Sequence, residues 1–416
     1  MTGNQPTRLV DFLYEDLVFD TFVKAADSFV KHQYGSTQIW AASRDWFLEE
    51  WGRDTFISLP GILLATKRFS EATEIMKNFA KHEKDGLIPN RIQKDQTIYN
   101  TADAPMWFIQ AAKSHWKYSG DLNLVKEMLP LLRKIIDCYK KGTSYQRFGS
   151  DQIIKMDEND ALVASPAQAT WMDADPSGTG QAIVTPRNGK TVEINALWYD
   201  NLRFLAKLEK QEKNLANARD YDSLAGDVKK SYNDKFWNAS ENALFDVVEG
   251  DPHGGAIRPN MVFAISHGGD LLPDDRKTEV FESARKDLLT PGGLRSLSPR
   301  DSHYIGVYDT YLPIDRKDWA YHQGTVWPWL IGPYCDALAI VRKSQGQKTE
   351  AIRSEIFCVI GPLLRFCIES PYKSLPEVFS GDPPHAPGAI TSQAWSVAEI
   401  LRILDKHGVC KKDSAE

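Results

Sequence analysis

The chain has 416 residues, 42% of them hydrophobic and 25% charged, with a formal net charge of −6. That balance describes a globular protein with ample chain to bury a core. It argues against nucleic-acid and membrane partners, since no basic stripe and no apolar run of membrane-spanning length is present.

Phe19, Phe22, Val23, Ala26, Phe29 and Val30 recur at three- and four-residue spacing and predict a first amphipathic helix. Helical patterns follow over about 55–67, 70–82, 104–119 and 122–142, with a kink or break expected at Pro130. QIIKMDENDALVAS alternates around a polar turn and predicts a hairpin. Ile194, Leu197, Trp198, Leu202, Leu205 and Leu208 mark the next helix, and another covers about 213–236. NALFDVVEGDPHGG predicts a second hairpin. Helices then follow over about 258–267, 275–288, 327–345 and 349–369, and a last one through Trp395, Ala398, Leu401 and Leu404 stops at Gly408. No Ser/Gly/Pro-rich linker divides these elements. One domain over 1–416 is expected, mainly α, with small β excursions.

The chemistry-capable residues fall between helices, in segments 45–54, 85–103, 170–193, 251–260, 295–327 and 374–393. Loops at such spacing suggest a toroid of helical hairpins, with one end presenting them around a central pocket. In EEWGRDTFISLPG (49–61), Trp51, Arg53 and Asp54 surround Gly52 ahead of a buried helix; a helix cap, a buried ion pair and a bound polar ligand are all open readings. In WMDADPSG, Trp171 stands beside Asp173 and Asp175. An aromatic wall raises a carboxyl pKa, which suits a general acid. Asp175 directly precedes Pro176 and reads as a turn residue, whereas Asp173 leans towards function. LPEVFSGDPPHAPGA is a proline-stiffened loop carrying Glu377, Asp382 and His385. RKDWAYHQGTVWPWLIGP groups Trp319, His322, Gln323, Trp327 and Trp329, a palette suited to stacking and bonding sugar rings. Taken singly, Asn90, Asp103 and Asn260 read as caps or turns.

Cys138, Cys335, Cys358, Cys367 and Cys410 show no CxxC or Cys/His ligand spacing. They suit small buried hydrophobes in a reducing cytoplasm, and no secretory signal is visible at the N-terminus. GxxxxGK[ST], GxGxxG, GxSxG and HExxH are absent, so carboxylates, aromatics and amides remain.

WGRDTFISLPGILL, DGLIPNR, YNTADAPMWF, TWMDA, VTPRNGKTVEINALWY, RPNMVFAIS, LLTPGGLRSLSP, AYHQGTVWPWLIGPY, PEVFSGDPPHAPGA and SQAWSVAEILR occur in the order seen in glycogen debranching enzymes. From about residue 45 to 403 the chain resembles their amylo-α-1,6-glucosidase domain. The resemblance implies an all-α (α/α)6 toroid, or six-hairpin barrel, and inverting exo-hydrolysis of α-1,6-linked glucose without metal or cofactor. It assigns Asp173 as general acid and Glu377 as general base. Arg53 and Asp54 match a pair that grips the terminal glucose. Trp51, Asp103, Trp171, Glu193 and Asn195 are carried over as substrate-binding, as are Arg258, His322, Gln323 and Trp327. The implied partner is an α-glucan or small α-glucoside. Hydrolysis of another small α-glucoside, or a silent glycan-binding subunit, are the alternatives. Departures from the family pattern are Glu50, where an Asp is common, and Ser380, where FDGD is usual.

Overall fold

In a computed structural model, which describes residues 6–33, 35–42, 49–93, 96–180, 184–388 and 390–409 and side chains from Asp16 onward, helices take about half of the length. They are α1 (Pro6–Asp27), α2 (Gly52–Leu59), α3 (Phe69–Lys81), α4 (Ala104–Ser119), α5 (Asn123–Lys141), α6 (Val192–Gln211) and α7 (Leu215–Lys235). Then come α8 (Phe263–Ser266), α9 (Asp274–Asp287), α10 (Ile314–Lys317), α11 (Ile331–Ser344), α12 (Thr349–Glu369) and α13 (Ala394–His407).

Six of these touch in a closed cycle. α2 packs on α4, α4 on α6, α6 on α8, α8 on α11, α11 on α13, and α13 back on α2. Six of the other seven lie against this ring: α3 and α5 on α4, α7 on α6, α9 and α12 on α11, and α1 on α13. Sequence pattern separates the two sets. Every residue of α2 is buried, and α6 buries even Glu193, Asn195 and Asn201, whereas α7 and α9 bury only a stripe. A helix apolar or satisfied all round belongs inside, and an amphipathic one belongs outside.

Two glycines make the ring close. A Cβ at Gly52 would lie 2.1 Å from the Pro89 carbonyl oxygen, and one at Gly61 only 1.8 Å from that of Ala398. Gly61 sits in a π-helical turn, Pro60–Leu64, which continues α2 and packs on α13. At its far end α13 stops at Gly408, whose φ of +60° gives the left-handed cap expected there.

Several expectations need correction. α1 ends at Asp27, and Val30–Gln33 instead pairs with Ser36–Ile39 around Gly35, which has φ +75°. α5 runs unbroken through Pro130, which lies on its exposed face, where the carbonyl left unbonded one turn back need not be buried. QIIKMDENDALVAS does pair, Lys155–Met156 with Val163–Ala164, and a third strand, Thr143–Arg147, joins the sheet. The second expected hairpin does not fold on itself. Ala243–Leu244 pairs with Trp237–Asn238, and Val247–Val248 with Lys190–Thr191, because both strands find partners in the helix-flanking loops. Cys335 and Cys367 are buried, but Cys358 is exposed. Cys410 lies outside the described residues. Among the described residues no helix is long and apolar enough to cross a membrane.

Candidate active site

All six ring helices begin at the same end, so the segments leading into them converge there. Arg53, in the first turn of α2, is 4% exposed and donates from Nε to Asp103 Oδ2 at 2.6 Å and from Nη1 to Asp173 Oδ2 at 3.1 Å. The opening WGRD stretch is thus a buried ion pair, though its partners are Asp103 and Asp173 and not the adjacent Asp54. Asp103 occupies the capping position of α4 without capping it, since its side chain serves Arg53. Burial opposes the charge on Arg53, but Asp103 and Asp173 more than offset this. Asp103 Oδ1 and Arg53 Nη2 are buried with no hydrogen-bond partner among the described residues. Buried polar atoms of this kind are normally satisfied, and a hydroxyl-bearing ligand would satisfy these.

Asp173 is the most open of the cluster, its side chain 29% exposed. Gln168 holds its backbone carbonyl from Nε2 at 3.2 Å. Asp175 turns back on its own loop, accepting from the backbone N–H groups of Ser177 and Gly180, as a turn residue should. Asp54 accepts from Gln393 Nε2 at 3.4 Å. Burial pushes its pKa up to about 7; Arg53 opposes this, while Asp173 and Asp103 add to it.

Glu377 is buried, and burial pushes its pKa up to about 8, against a hydrogen bond from Tyr321 and with the Asp54 charge adding to the rise. Asp54 therefore feels Asp173 and Asp103, and Glu377 feels Asp54, which links the carboxylates electrostatically. The loop carrying Glu377 is pinned: Phe379 exchanges backbone hydrogen bonds with Val326 at 2.8 and 2.9 Å, and the Glu377 N–H donates to the Ile390 carbonyl at 3.0 Å. His385 donates from Nδ1 to the Ser380 carbonyl, 3.0 Å away, and Asp382 accepts from Tyr304 at 2.9 Å. Both are thus tied into the loop.

An aromatic wall completes this end. Trp171 meets His322, Trp327 and Trp329 edge to face, with centroids 5.2–5.4 Å apart. His322 stacks on Trp327, and burial, with Arg258 and Arg53 nearby, holds its pKa well below the usual imidazole range. It is a neutral ring whose two nitrogens have no partner among the described residues. Trp51 lies under the Arg91 guanidinium, 5.0 Å from its centroid. Trp319, by contrast, is 45% exposed and stands apart from this group.

The remaining carried-over residues are bound within the protein. Glu193 accepts both ends of the Arg187 fork at 2.6 Å, and Arg187 also reaches Asp246. Asn195 clips the Val163 backbone at both its N–H and carbonyl. Arg258 holds the Ser296 and His322 carbonyls and Gln323 Oε1. Asn260 joins this scaffold to the wall, accepting from Trp171 Nε1 and donating to Asp246, each at 2.7 Å. Sequence reasoning missed Tyr321, Arg187, Asp246 and Gln393. Tyr321 and Gln393 sit inside quoted motifs, AYHQG and SQAWS, so motif position was their available signal. Among the described residues, one acidic trio, Asp157, Asp160 and Glu249, has ligand-like spacing, but the Lys190 ammonium already bonds all three.

A family model described as amylo-alpha-1,6-glucosidase matches residues 24–402. The chain belongs to that family. Among curated relatives, this amylo-alpha-1,6-glucosidase family chain is 24% identical to the glycogen debranching enzyme of Saccharomyces cerevisiae, over 86% of this chain and 29% of that protein. It is 23% identical to a putative periplasmic trehalase of Salmonella typhi, over 64% of this chain and 53% of the relative. The chain thus spans from under a third to about half the length of these relatives. In fold, it resembles a rhamnosidase from Klebsiella oxytoca with rhamnose bound, with TM-score 0.56 and 14% identity over 94% of this chain and 64% of the other. A GH78 family rhamnosidase of Bacillus sp. GL1 gives TM-score 0.61 at 12% identity, over 94% and 34%.

One family-pattern departure carries a stability consequence. Glu50 is 2% exposed, and burial, opposed by a hydrogen bond from the Ile39 backbone, pushes its pKa up to about 8. The folded chain therefore keeps a proton that the unfolded chain releases near the ordinary Glu value. Stability from this group is complete below that value and is lost as pH rises towards 8. Glu50→Gln cannot lose the proton. Its melting temperature should match the native protein near pH 4.5 and exceed it at pH 8, by up to roughly 4 kcal/mol in stability. A difference that does not grow with pH in paired thermal melts would refute the assignment.

Proposed function

We propose that the protein is an inverting, exo-acting α-glucosidase of the amylo-α-1,6-glucosidase type, releasing glucose from α-1,6 branch points of glycogen-type glucans. Its helix ring is read as the inner layer of an (α/α)6 toroid. The observation that carries the reading is the convergence of Arg53, Asp54, Asp103, Asp173 and Glu377, drawn from four distant segments, into one group linked by ion pairs and charge, buried except at Asp173.

The roles follow from environment. Asp173, the most open carboxyl, protonates the glycosidic oxygen. Glu377, on its pinned loop beside Tyr321, takes a proton from water on the opposite face of the ring. In inverting enzymes such a pair stands about 6.5–9.5 Å apart to admit that water. The Arg53 fork and Asp54 hold the hydroxyls of the terminal glucose, while Trp171, Trp327 and Trp51 supply flat apolar faces. Cytoplasmic action on stored glucan fits a chain whose cysteines show no pairing pattern.

A second reading is hydrolysis of another small α-glucoside, favoured by the relatives named as trehalases. Purified protein incubated with branched maltosaccharides, panose, isomaltose and trehalose separates the two. From panose or a branched maltosaccharide the released glucose should be β first, and from trehalose equal α and β, read from the anomeric proton signals in the first minutes. Initial α-glucose from panose, or α-glucose alone from trehalose, would mean a nucleophilic carboxylate and would overturn the water-activating role of Glu377.

A further inference from the structure

The helix ring holds a cavity of about 480 Å³, and none of Arg53, Asp54, Asp103, Asp173 and Glu377 lines it. Its walls run from the first turns of α4 and α8 and the entry to α11 (Trp107, Phe263, Trp329) to the C-terminal ends of α4 and α13 (Tyr118, Lys406). It therefore extends along the ring away from the carboxylate end, sharing Trp329 with the aromatic wall there. Trp107, Phe263 and Trp329 form apolar faces, with Trp107 and Phe263 edge to face at 5.7 Å. Lys117, Gly269, Asp405 and Lys406 are exposed, so the cavity opens to solvent.

Its charges balance. Lys113, Lys117, Arg402 and Lys406 face Asp200, Asp336, Glu399 and Asp405. Lys113 bonds Asp200 at 2.5 Å, Arg402 bonds both Asp336 and Glu399, and Lys406 bonds Asp336. A charged ligand would have to break one of these pairs, and an anion would also face the negative C-terminal ends of α4, α8 and α13. A wholly apolar ligand would leave the polar wall without partners. Trp329 Nε1 adds a buried donor with no hydrogen-bond partner among the described residues. Flat aromatic faces, paired carboxylates that still accept, and spare donors fit one ligand chemistry: a neutral, polyhydroxylated ring. The volume lies in the range of small-molecule sites, about 300–1,000 Å³.

We infer that this cavity is a binding site for a neutral mono- or disaccharide, separate from the site of hydrolysis. It is carried by the cavity's own lining and does not depend on the hydrolytic reading.

Fluorine NMR of the full chain labelled with fluorotryptophan tests this, with Glu377→Gln present to prevent turnover and Trp107→Phe used to assign the Trp107 line. Maltose is the probe. The Trp107 line should shift saturably. Ser114→Trp, which fills the cavity, should weaken that response about ten-fold or more, while leaving kcat/KM of the otherwise native chain unchanged. If Ser114→Trp does not fold, Ser266→Leu narrows the cavity from another wall. A Trp107 line unmoved by tens of millimolar maltose, or one that shifts equally in the filled variant, overturns the inference. So does a line that answers to inorganic phosphate and not to maltose. Absence of hydrolysis on every substrate would refute the proposed function and leave this readout intact.

Discussion

Replacing Glu377 by Gln is expected to lower turnover by about 10²–10⁴-fold, and Asp173→Asn by a similar factor. Both changes keep side-chain shape, so saccharide binding should persist. The two variants differ in a way that separates chemistry from structure. Glu377 is buried and holds its proton up to about pH 8, so Gln there should leave the fold as stable at pH 5 and more stable at pH 8. Asp173 bonds Arg53, so Asn there removes one charged partner and should cost some stability at neutral pH. The same shift shapes the rate profile. A general base works only when ionised, so kcat/KM of the native protein should rise with pH towards 8 as free Glu377 loses its proton. Near-native turnover in either variant would sink that residue's assignment.

Arg53→Lys is expected to lower kcat/KM by roughly 10–10²-fold despite conserving charge, because hydrogen bonds to charged partners contribute about 1.5–3 kcal/mol each. The planar fork bonds Asp103 from Nε and Asp173 from Nη1, leaving Nη2 for a ligand. A lysine offers a point charge in place of three directed donors. Since the pair with Asp103 is buried, a purely structural role would show as a lower melting temperature, with activity restored on cooling. A clamp on the terminal glucose would show as lost activity with a much smaller change in melting. Asp54→Asn supplies the companion measurement. Asp54 makes no ion pair as short as the 2.6 Å one between Asp103 and Arg53 among the described residues, and its bond from Gln393 is 3.4 Å, so its loss should touch catalysis more than the melt.

Local pattern carried a large part of this protein. The stripes over 104–119 and 349–369 became α4 and α12 with those same bounds, because helix period and flanking Gly or Pro act within one turn of the residues that encode them. Motif order likewise led to the family and put Asp173 and Glu377 in loops, whereas Arg53, expected between helices, falls in the first turn of α2. Only tertiary structure decided which carboxylate Arg53 holds. Asp54 is its neighbour in sequence, yet successive helix positions diverge around the axis, and the guanidinium reaches Asp103 and Asp173 from other loops instead. Asp103 reads as a cap in sequence and becomes an ion-pair partner for the same reason. Glu193 and Asn195 lie in a matching motif, but their bonds go to Arg187 and the Val163 backbone, partners that no spacing rule could name. Val30 fits a helical stripe and was taken by a strand because Ile39 lay opposite it. The cavity beside Trp107 takes six lining residues from α4 and four from α13 but only Asp200 from α6, so its outline depends on how the ring closes and not on any one stretch of sequence. Periodicity is set by neighbours along the chain, whereas burial, charge pairing and cavity shape are set by neighbours across it.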